Sequence, residues 1–403
     1  MSAALPDQAW LAALAHLPGM WPTRLAAVLD LARGEAGAGP PPPGRAAAEA
    51  WERILNGRVM LDPRVRARCG HEPDLVWRQW RTAALESDVA RLWQVYRAAA
   101  VELHVLGGPG YPACLTADPR PPYLLCSAGS LEALDGPRAA IVGTRRCTTM
   151  GREIAAQFGR ELAEAGIRVV SGLALGIDGA AHAGALSAHA APPVGVVAAG
   201  LDRPYPARHR RLWQTVALQG VLMSEAPLGT ETAPWRFPAR NRILAAVADV
   251  VVVVESHRTG GSMITADQAL GRGVPVLAVP GPIRSVASAG TNHLLREGAP
   301  PACDVEDILV ALSLDRSART PTPTLFDTRG GETRPAVHNE VLSALDWTPT
   351  SVEVVLGRTG RPLPDVAAAL AALEMAGLVR GGAGWWERAG PSASASPAPT
   401  VGE

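Results

Sequence analysis

Five consecutive valines at positions 250–254, bounded by Asp249 and Glu255, constrain the fold more than any other part of the sequence. The run is far shorter than the roughly 18 apolar residues expected of a membrane-spanning helix. Valine is β-branched and disfavours helices, and a short apolar run between polar residues is typical of a strand buried on both faces. The sequence therefore predicts a central strand of a parallel β-sheet.

The residues on either side of this strand extend the pattern to helix, strand, Gly-rich turn, helix and strand over positions 235–280. Residues 260–262 read G-G-S at the predicted start of a helix, where exposed backbone N–H groups suit a phosphate or another anion. Upstream, Phe237 and the sequence R-N-R at 240–242 combine an aromatic ring with two guanidinium groups. This combination is typical of a site for a nucleobase and its phosphate.

Strands and helices alternate from about residue 101 onwards, which is typical of a doubly wound parallel sheet in an α/β protein. The predicted strands are 102–106, 139–142, 168–170, 194–198, 221–223, 250–254 and 274–279. Small or charged residues follow them, including the turn at 143–146 (G-T-R-R) and the pair Ser171 and Gly172. Since ligands of open parallel sheets bind at the carboxyl ends of the strands, we expect these residues to form a binding site.

The turn that begins at Gly143 argues against a dinucleotide cofactor. It reads G-T-R-R-C-T-T-M-G, not G-x-G-x-x-G, and it places Arg145 and Arg146 where such a site needs glycines. Thr148 or Thr149 is predicted to cap the following helix, so that both arginines lie beside a helix N-terminus that favours anions. No cofactor is therefore expected.

All 38 basic residues are arginines, and the chain contains no lysine. P-loop NTPases and Schiff-base enzymes need a lysine, so both classes are excluded. Arginine suits bidentate phosphate contacts and stacking on bases. The formal net charge is zero, which indicates that a basic site is local and does not cover the whole surface. The five cysteines include no C-x-x-C pair, which predicts neither a disulfide framework nor a zinc site.

The sequence of residues 1–95 predicts a small helical domain. Four of its tryptophans are predicted to pack into a core: Trp51, Trp77, Trp80 and Trp93. Two short predicted helices, 9–16 and 23–31, flank the sequence P-G-M-W-P, which resembles half of a helix-hairpin-helix turn. Trp21 replaces the second glycine, through which such a hairpin approaches a phosphate, so DNA-backbone binding and a purely structural turn both stay open. No signal-peptide pattern or long apolar run is present, and a cytoplasmic protein without membrane segments is expected.

Two sets of polar residues raise the question of catalysis. Asp178 and His182 are four residues apart on a predicted helix, a spacing that suits two metal ligands or an acid–base pair. No third ligand is suitably spaced, and a hydrogen-bonded Asp–His pair near a helix start is commonly structural. Glu225 and Glu255 lie at predicted strand ends and could serve hydrolysis, but no G-x-S-x-G nucleophile motif accompanies them. The sequence predicts no catalytic residue and no metal site.

The C-terminal part is predicted as a linker at 315–335, a winged-helix domain at 336–389 and a disordered tail at 390–403. The winged helix is predicted from helices 337–345, 351–359 and 364–376, with Gly377 as a C-cap, and from a hairpin of 378–380 and 385–388. Its third helix contains no basic residue and two acids, Asp365 and Glu374. These charges would repel phosphates, which favours contact with a protein over DNA binding.

A series of motifs resembles, in the same order, that of the DprA/Smf family (DNA-processing protein A). The motifs are Y-P-x-x-L from Tyr111, then V-G-T-R-R, S-G-L-A-L-G-I-D-G-A-A-H, G-L-D-R-P-Y-P, L-M-S-E-A-P, F-P-A-R-N-R, G-G-S-M-I-T and V-P-G-P. The resemblance implies an extended Rossmann-like domain at 96–314, after a SAM-like helical domain at 1–95. It further implies a homodimer that binds single-stranded DNA without hydrolysing it. Such a protein loads the RecA recombinase onto the strand during natural transformation and homologous recombination.

The resemblance also implies which residues contact the strand. Family positions carry over to Gly143, Thr144, Arg145, Phe237, Arg240, Asn241, Arg242, Gly260, Gly261 and Ser262. Arg146, Ser171 and Gly172 join this predicted DNA-binding site because they follow the same strand ends. Many family members place lysines around the pocket, and Arg236, Arg258 or Arg272 is expected to replace them here. Of these three, Arg236 is included in the predicted site.

Phosphoribohydrolases of nucleoside monophosphates are the alternative, because they share this sheet and carry P-G-G-x-G-T-x-x-E at the equivalent turn. In this sequence Thr265 stands where their catalytic glutamate would be. This sequence therefore has the phosphate-binding turn but lacks the catalytic glutamate, which favours a binding protein over an enzyme.

Overall fold

The computed structural model describes residues 5–33, 46–312, 336–345, 350–376, 378–382 and 385–388. The predicted linker at 315–335, the tail at 390–403 and the predicted C-cap Gly377 lie outside the described residues. The chain divides into two compact units, Met1–Ala318 and Arg319–Glu403. None of the described helices is long and apolar enough to span a membrane.

The N-terminal helices of the first unit share a core with its β-sheet. They are α1 Asp7–Ala15, α2 Pro22–Arg33, α3 Ala46–Leu55, α4 Pro63–Cys69, α5 Pro73–Glu86 and α6 Val89–Ala98. Leu14 and Ile54 from these helices belong to the same buried cluster as Leu103 from the sheet. The four predicted core tryptophans belong to this cluster or pack against it, which confirms that prediction. The domain boundary at residue 95 stays a prediction.

A β-sheet of eight strands forms the centre of the first unit. Its strands are β1 Val101–Val105, β2 Leu124–Gly129, β3 Arg138–Val142, β4 Arg168–Ser171, β5 Val194–Val196, β6 Val221–Ser224, β7 Val250–Val253 and β8 Val276–Ala278. They are arranged in the order β1-β2-β6-β5-β4-β3-β7-β8. Strands β3 to β8 pair in parallel, whereas β2 pairs antiparallel with both β1 and β6. The predicted α/β fold with a doubly wound, mostly parallel sheet is confirmed.

The valine run forms β7, which is buried and pairs with β3 on one side and β8 on the other. Its position inside the sheet agrees with the prediction. Strand β2 was not predicted from the sequence. Its residues, L-L-C-S-A-G, follow the Pro-rich stretch 119–122 and show no two-residue alternation of apolar and polar side chains. A short apolar run of this kind does not distinguish a strand from a buried loop, and only its pairing with β6 and β1 reveals it.

Helices cover both faces of the sheet. They are α7 Ala113–Thr116, α8 Thr149–Glu164, α9 Ile177–Ala188, α10 Arg210–Gln219, α11 Arg236–Val247, α12 Gly261–Leu270, α13 Ala289–Arg296 and α14 Val305–Ala311. Successive residues of β3 alternate between two cores: Ala139 and Ile141 belong to the core with α8, α9 and α14, and Ala140 and Val142 to that with α11 and α12. Burial of both faces leaves the ends of the strands as the part of the sheet that a ligand can reach.

Helices α8 and α9 cross at a contact between their backbones. A Cβ atom at Gly159 would overlap the carbonyl oxygen of Ala181, and one at Gly184 would overlap that of Ala156. Each helix therefore has a glycine at the point where the backbone of the other helix passes. A residue with a side chain at either position would force the two helices apart.

The second unit has the elements of the predicted winged helix. They are α15 Ala336–Ala344, α16 Val352–Thr359 and α17 Leu363–Met375, together with β9 Thr350–Ser351, β10 Val379–Gly382 and β11 Trp385–Arg388. The strands form a small sheet in the order β10-β11-β9. Val341, Leu370 and Val379 belong to one buried core that joins helices and sheet. The predicted three helices and hairpin are confirmed.

Candidate nucleic-acid interface

Four segments from the carboxyl edge of the sheet enclose a cavity of about 630 Å³, here called the main cavity. They are the turn after β3, the turn after β4, and the starts of α11 and α12, and residues 205, 232–234 and 257 complete the lining. The strands end at the same edge of the sheet, so residues far apart in sequence meet there. Ten of the predicted site residues line the cavity: Gly143, Thr144, Arg145, Arg146, Phe237, Arg240, Asn241, Gly260, Gly261 and Ser262.

One wall of the main cavity is aromatic. Phe237 lies half-buried in the first turn of α11, and the guanidinium carbon of Arg145 lies 4.4 Å from the centre of its ring. The ring of Tyr205 is 5.6 Å from that of Phe237, at an interplanar angle of 51°. Sequence reasoning missed Tyr205 as a site residue, although the motif G-L-D-R-P-Y-P contains it. The wall presents π-faces beside a fixed positive charge, which suits an unstacked base and its phosphate.

The arginine-bearing turn after β3 is held in place by Glu255. Thr144 donates its backbone N–H to the carbonyl oxygen of Glu255 at 2.8 Å. The Glu255 carboxylate accepts from the backbone N–H of Thr148 at 2.8 Å and from its hydroxyl at 2.5 Å. Thr148 in turn accepts from the N–H of Gly151 at 3.0 Å, so it is the N-cap of α8, one of the two predicted caps. Glu255 thus supports the turn, while Arg145 and Arg146 are exposed to solvent.

Arg240 places a buried positive charge beneath the main cavity. Its Nη1 donates to the carbonyl oxygen of Val196 at 2.9 Å, and its Nε has no hydrogen-bond partner. Burial lowers the pKa of Arg240, and the nearby Asp178 opposes this shift. Burial likewise raises the pKa of Asp178, although its carboxylate accepts the N–H of Gly172 at 3.1 Å. A Cβ atom at Gly172 would overlap the Arg240 guanidinium, so this glycine makes room for the arginine.

The N-terminus of α12 forms another part of the cavity wall. Gly260 is its N-cap and makes no side-chain capping bond, and the space where Gly261 would carry a Cβ atom is open. The hydroxyl of Ser262 donates to that of Ser256 at 2.7 Å, and the amide of Asn241 donates to the carbonyl oxygen of Gly261 at 3.2 Å. These bonds fix the turn with the helix N-terminus facing the cavity. The dipole and the N–H groups of the first turn favour an anion there.

The other four predicted site residues lie outside the main cavity. Ser171 is buried and donates to the carbonyl oxygen of Ile141 at 2.6 Å, and Gly172 accommodates Arg240. Arg242 forms an ion pair of 2.5 Å with Glu225. Arg236 lines a second cavity, described below. The DNA contacts of these four residues stay predictions.

Two further arginines were considered as replacements for lysines of the pocket. Arg272 forms a buried ion pair of 2.6 Å with Asp118, so its guanidinium does not face the main cavity. Arg258 is exposed and follows His257, which lines the cavity.

The predicted hydrogen bond between Asp178 and His182 is wrong. His182 is fully buried, and no hydrogen bond joins its ring to Asp178. Burial lowers its pKa to about 4, so the ring is neutral. Asp178 instead accepts from the backbone at Gly172. Within the described residues, no group of three or more His, Cys, Asp or Glu side chains is arranged to hold a metal ion.

Glu225 and Glu255, the two carboxylates that could serve hydrolysis, form other contacts in the structure. Glu225 is paired with Arg242, and burial raises its pKa against the effect of that pairing. Glu255 accepts both bonds from Thr148. Thr265 lines the main cavity at the position where the alternative family carries its acid. Asp178 is the one carboxylate among the described residues that line this cavity, and it lies buried next to Arg240.

The family model for DNA recombination-mediator protein A matches residues 102–313, which include the whole main cavity. The chain belongs to this family. The resemblance to DprA/Smf proteins seen in the motifs is therefore confirmed. A second model, the DprA winged helix domain, matches residues 321–384.

Relatives and a solved structure agree with membership of the DprA family. The putative DNA processing protein DprA of Mycobacterium tuberculosis is 39% identical over 290 residues, covering 68% of this chain and 71% of the relative. Protein Smf of Escherichia coli is 35% identical over 271 residues, covering 67% and 72%. The X-ray structure of DNA processing protein A from Streptococcus pneumoniae is 28% identical with a TM-score of 0.59, covering 75% of this chain and 96% of that one.

Proposed function

We propose that this chain binds single-stranded DNA in the main cavity and does not act as an enzyme. The observation that carries the proposal is the Arg145 guanidinium lying 4.4 Å from the centre of the Phe237 ring. In the same cavity, the N-terminus of α12 offers a place for a phosphate. One nucleotide could thus place its base on the aromatic wall and its phosphate between the arginines and the helix start.

A single strand fits this arrangement better than a duplex. Bases of a duplex are stacked on one another and paired, so their faces cannot reach Phe237 and Tyr205 without unstacking. The zero net charge of the chain also disfavours a binding mode that follows duplex phosphates over a wide surface. The predicted specificity is therefore for unpaired DNA.

The family implies further roles, which we include in the proposal. The bound strand would be passed to the RecA recombinase in the cytoplasm, during natural transformation and homologous recombination, by a homodimer of this chain. The winged helix would take part through protein contacts. Its helix α17 contains Asp365 and Glu374 and no basic residue, a charge pattern unsuited to a DNA groove.

A titration of labelled oligonucleotides tests the central claim. Fluorescence anisotropy should show tighter binding of a single strand than of the matching duplex. Arg145→Gln and Arg146→Gln should each make the negative slope of log affinity against log salt shallower by roughly 0.7, the value for one lost single-strand phosphate contact. Arg211→Gln is the matched control, since Arg211 is exposed on α10 and does not line the main cavity. Equal affinity for duplex and single strand, or an unchanged slope in both cavity variants, would place the site elsewhere.

Recombinase loading needs a separate measurement. Single-stranded DNA coated with single-strand-binding protein should assemble RecA filaments faster when the chain is present. Arg145→Gln should reduce this acceleration in proportion to its loss of DNA binding. Acceleration that persists without DNA binding would contradict a loading role that depends on the main cavity.

A further inference from the structure

A second cavity of about 250 Å³ lies between the turn that joins α1 to α2 and the first turn of α11. We call it the tryptophan cavity, because Trp21 and Trp235 both line it. The remaining walls include the apolar side chains of Leu17 and Leu25 and the carboxylate-bearing Glu225. Its volume is below the range of roughly 300 to 1,000 Å³ typical of drug-sized ligands, and it suits a group the size of one nucleobase.

The two tryptophans form an exposed aromatic pair. Their ring centres are 5.4 Å apart at an interplanar angle of 68°. Trp21 is 46% exposed and Trp235 is 50% exposed, so a large part of both indoles is open to solvent. The guanidinium carbon of Arg236 lies 4.5 Å from the centre of the Trp235 ring. The arrangement repeats the chemistry of the main cavity, where Arg145 and Phe237 are combined in the same way.

The tryptophan cavity lies next to the main cavity, and the two share a wall residue. Arg240 lines both of them. A small pocket is lined by Phe237 from the main cavity and by Val197 from the tryptophan cavity, together with Arg240. Trp235 and Phe237 are two residues apart at the start of α11. Because residues two apart on a helix face different directions, a strand has to pass round this helix start to reach both rings.

We propose that the tryptophan cavity is a second subsite, which takes an unpaired base from the same DNA strand that occupies the main cavity. The proposal rests on the proposed function of the main cavity. In this subsite, Trp21 acts as a stacking surface for the base. Trp21 occupies the position at which a helix-hairpin-helix turn has glycine.

The charges of the cavity favour a base over a phosphate. Glu225 lines the wall and is paired with Arg242 at 2.5 Å, so a phosphate inside would meet a carboxylate whose own counter-ion is already engaged. The apolar side chains of Leu17 and Leu25 likewise offer a phosphate no hydrogen bond. Arg236, stacked on Trp235, is placed to contact the phosphate that joins the two subsites.

Strand length separates the two subsites in an experiment on the full chain. Anisotropy titrations would use labelled single strands of about 4 and about 16 nucleotides, the limits of the usual site size. Trp21→Ala and Trp235→Ala should each weaken binding of the long strand by at least about 5-fold, the lower limit for one lost stack, and leave binding of the short strand unchanged. Phe237→Ala should weaken both strands. Trp235→Phe should keep most of the affinity for the long strand.

Trp385→Ala is the matched control, because Trp385 is 54% exposed but belongs to the second unit. It should bind both strands like the original chain, and melting temperatures should show that every variant is folded. The subsite is refuted if both tryptophan variants bind the long strand normally, as expected of a surface for a protein partner. Equal loss for both strands would refute it too, since that indicates damage to the main cavity. Failure of the proposed function is a different result, in which Phe237→Ala changes neither titration.

Discussion

Replacing Phe237 with alanine distinguishes a stacking surface from a core residue. The side chain is half-buried, in contrast to Phe158 of α8, which is 2% exposed. Phe237 contacts the Arg145 guanidinium and the Tyr205 ring, both at the cavity. Loss of the ring should therefore affect the ligand more than the fold.

The structure gives a magnitude for each effect. A fully buried phenylalanine costs roughly 3 to 5 kcal/mol when truncated to alanine. Phe237 is half-buried and its arginine contact is at the surface, so its truncation should cost about 1 to 2 kcal/mol of unfolding free energy. A lost base stack should weaken binding by about 1 to 3 kcal/mol, or roughly 5- to 150-fold in Kd. Phe237→Trp preserves the π-face and should retain most of the binding.

The assay compares thermal unfolding with anisotropy titration of a single strand. Phe158→Ala is the matched control: it should lower the melting temperature more than Phe237→Ala, while its folded fraction binds DNA normally. Phe237→Ala should show the reverse pattern. The contrary outcome is that Phe237→Ala loses as much stability as Phe158→Ala and binds the single strand with an unchanged Kd. That result would show that the Phe237 ring belongs to the core and that bases stack elsewhere.

Three further predictions concern pH, helix packing and catalysis. Burial lowers the pKa of His182 from 6.5 to about 4, so the unfolded chain takes up a proton at a higher pH than the native chain does. The free energy of unfolding should therefore fall by roughly 3 kcal/mol as the pH decreases from 6.5 to about 4. Urea titrations should show a weaker pH dependence of stability for His182→Gln than for the original chain. Gly159→Ala should cost roughly 1 to 3 kcal/mol by overpacking, which outweighs the helix-propensity gain of about 1 kcal/mol. Gly357→Ala, at a helical position with open space, should instead stabilise its unit, as thermal unfolding would show. The purified chain should release no free base from nucleoside monophosphates in a chromatographic assay, and release that is lost in Glu225→Gln or Glu255→Gln would contradict the binding role.

Local sequence predicted much of the central fold. The valine run identified β7, and alternation of strands with helices identified six of the other strands. Five of these six belong to the parallel part of the sheet and are largely apolar because both of its faces are buried, whereas β1 pairs antiparallel. The small and charged residues after those strands lie together at one edge. Ten of fourteen predicted site residues consequently line one cavity.

The features that were missed depend on contacts between distant parts of the chain. The bond from Thr148 to Glu255 joins residues 107 positions apart, so no local pattern shows that this carboxylate supports a turn. Trp21 and Trp235 meet only when the N-terminal helices dock on the sheet. Arg242 lies in the same motif as Arg240, yet it extends towards Glu225 and away from the main cavity, because residues two apart on a helix face different directions.

The direct backbone contact between α8 and α9 determines which wall of the main cavity can move. Helix α8 follows the turn with Arg145, and α9 follows the turn with Gly172. Glycines 159 and 184 lock these helices into one block, so both turns are held at a fixed separation. A strand that needs a wider opening would have to displace the starts of α11 and α12 together, since the Asn241–Gly261 bond joins them. If DNA binds as proposed, its entry and release should involve motion of the starts of α11 and α12 against the block of α8 and α9. Amide hydrogen exchange should then be faster at the starts of α11 and α12.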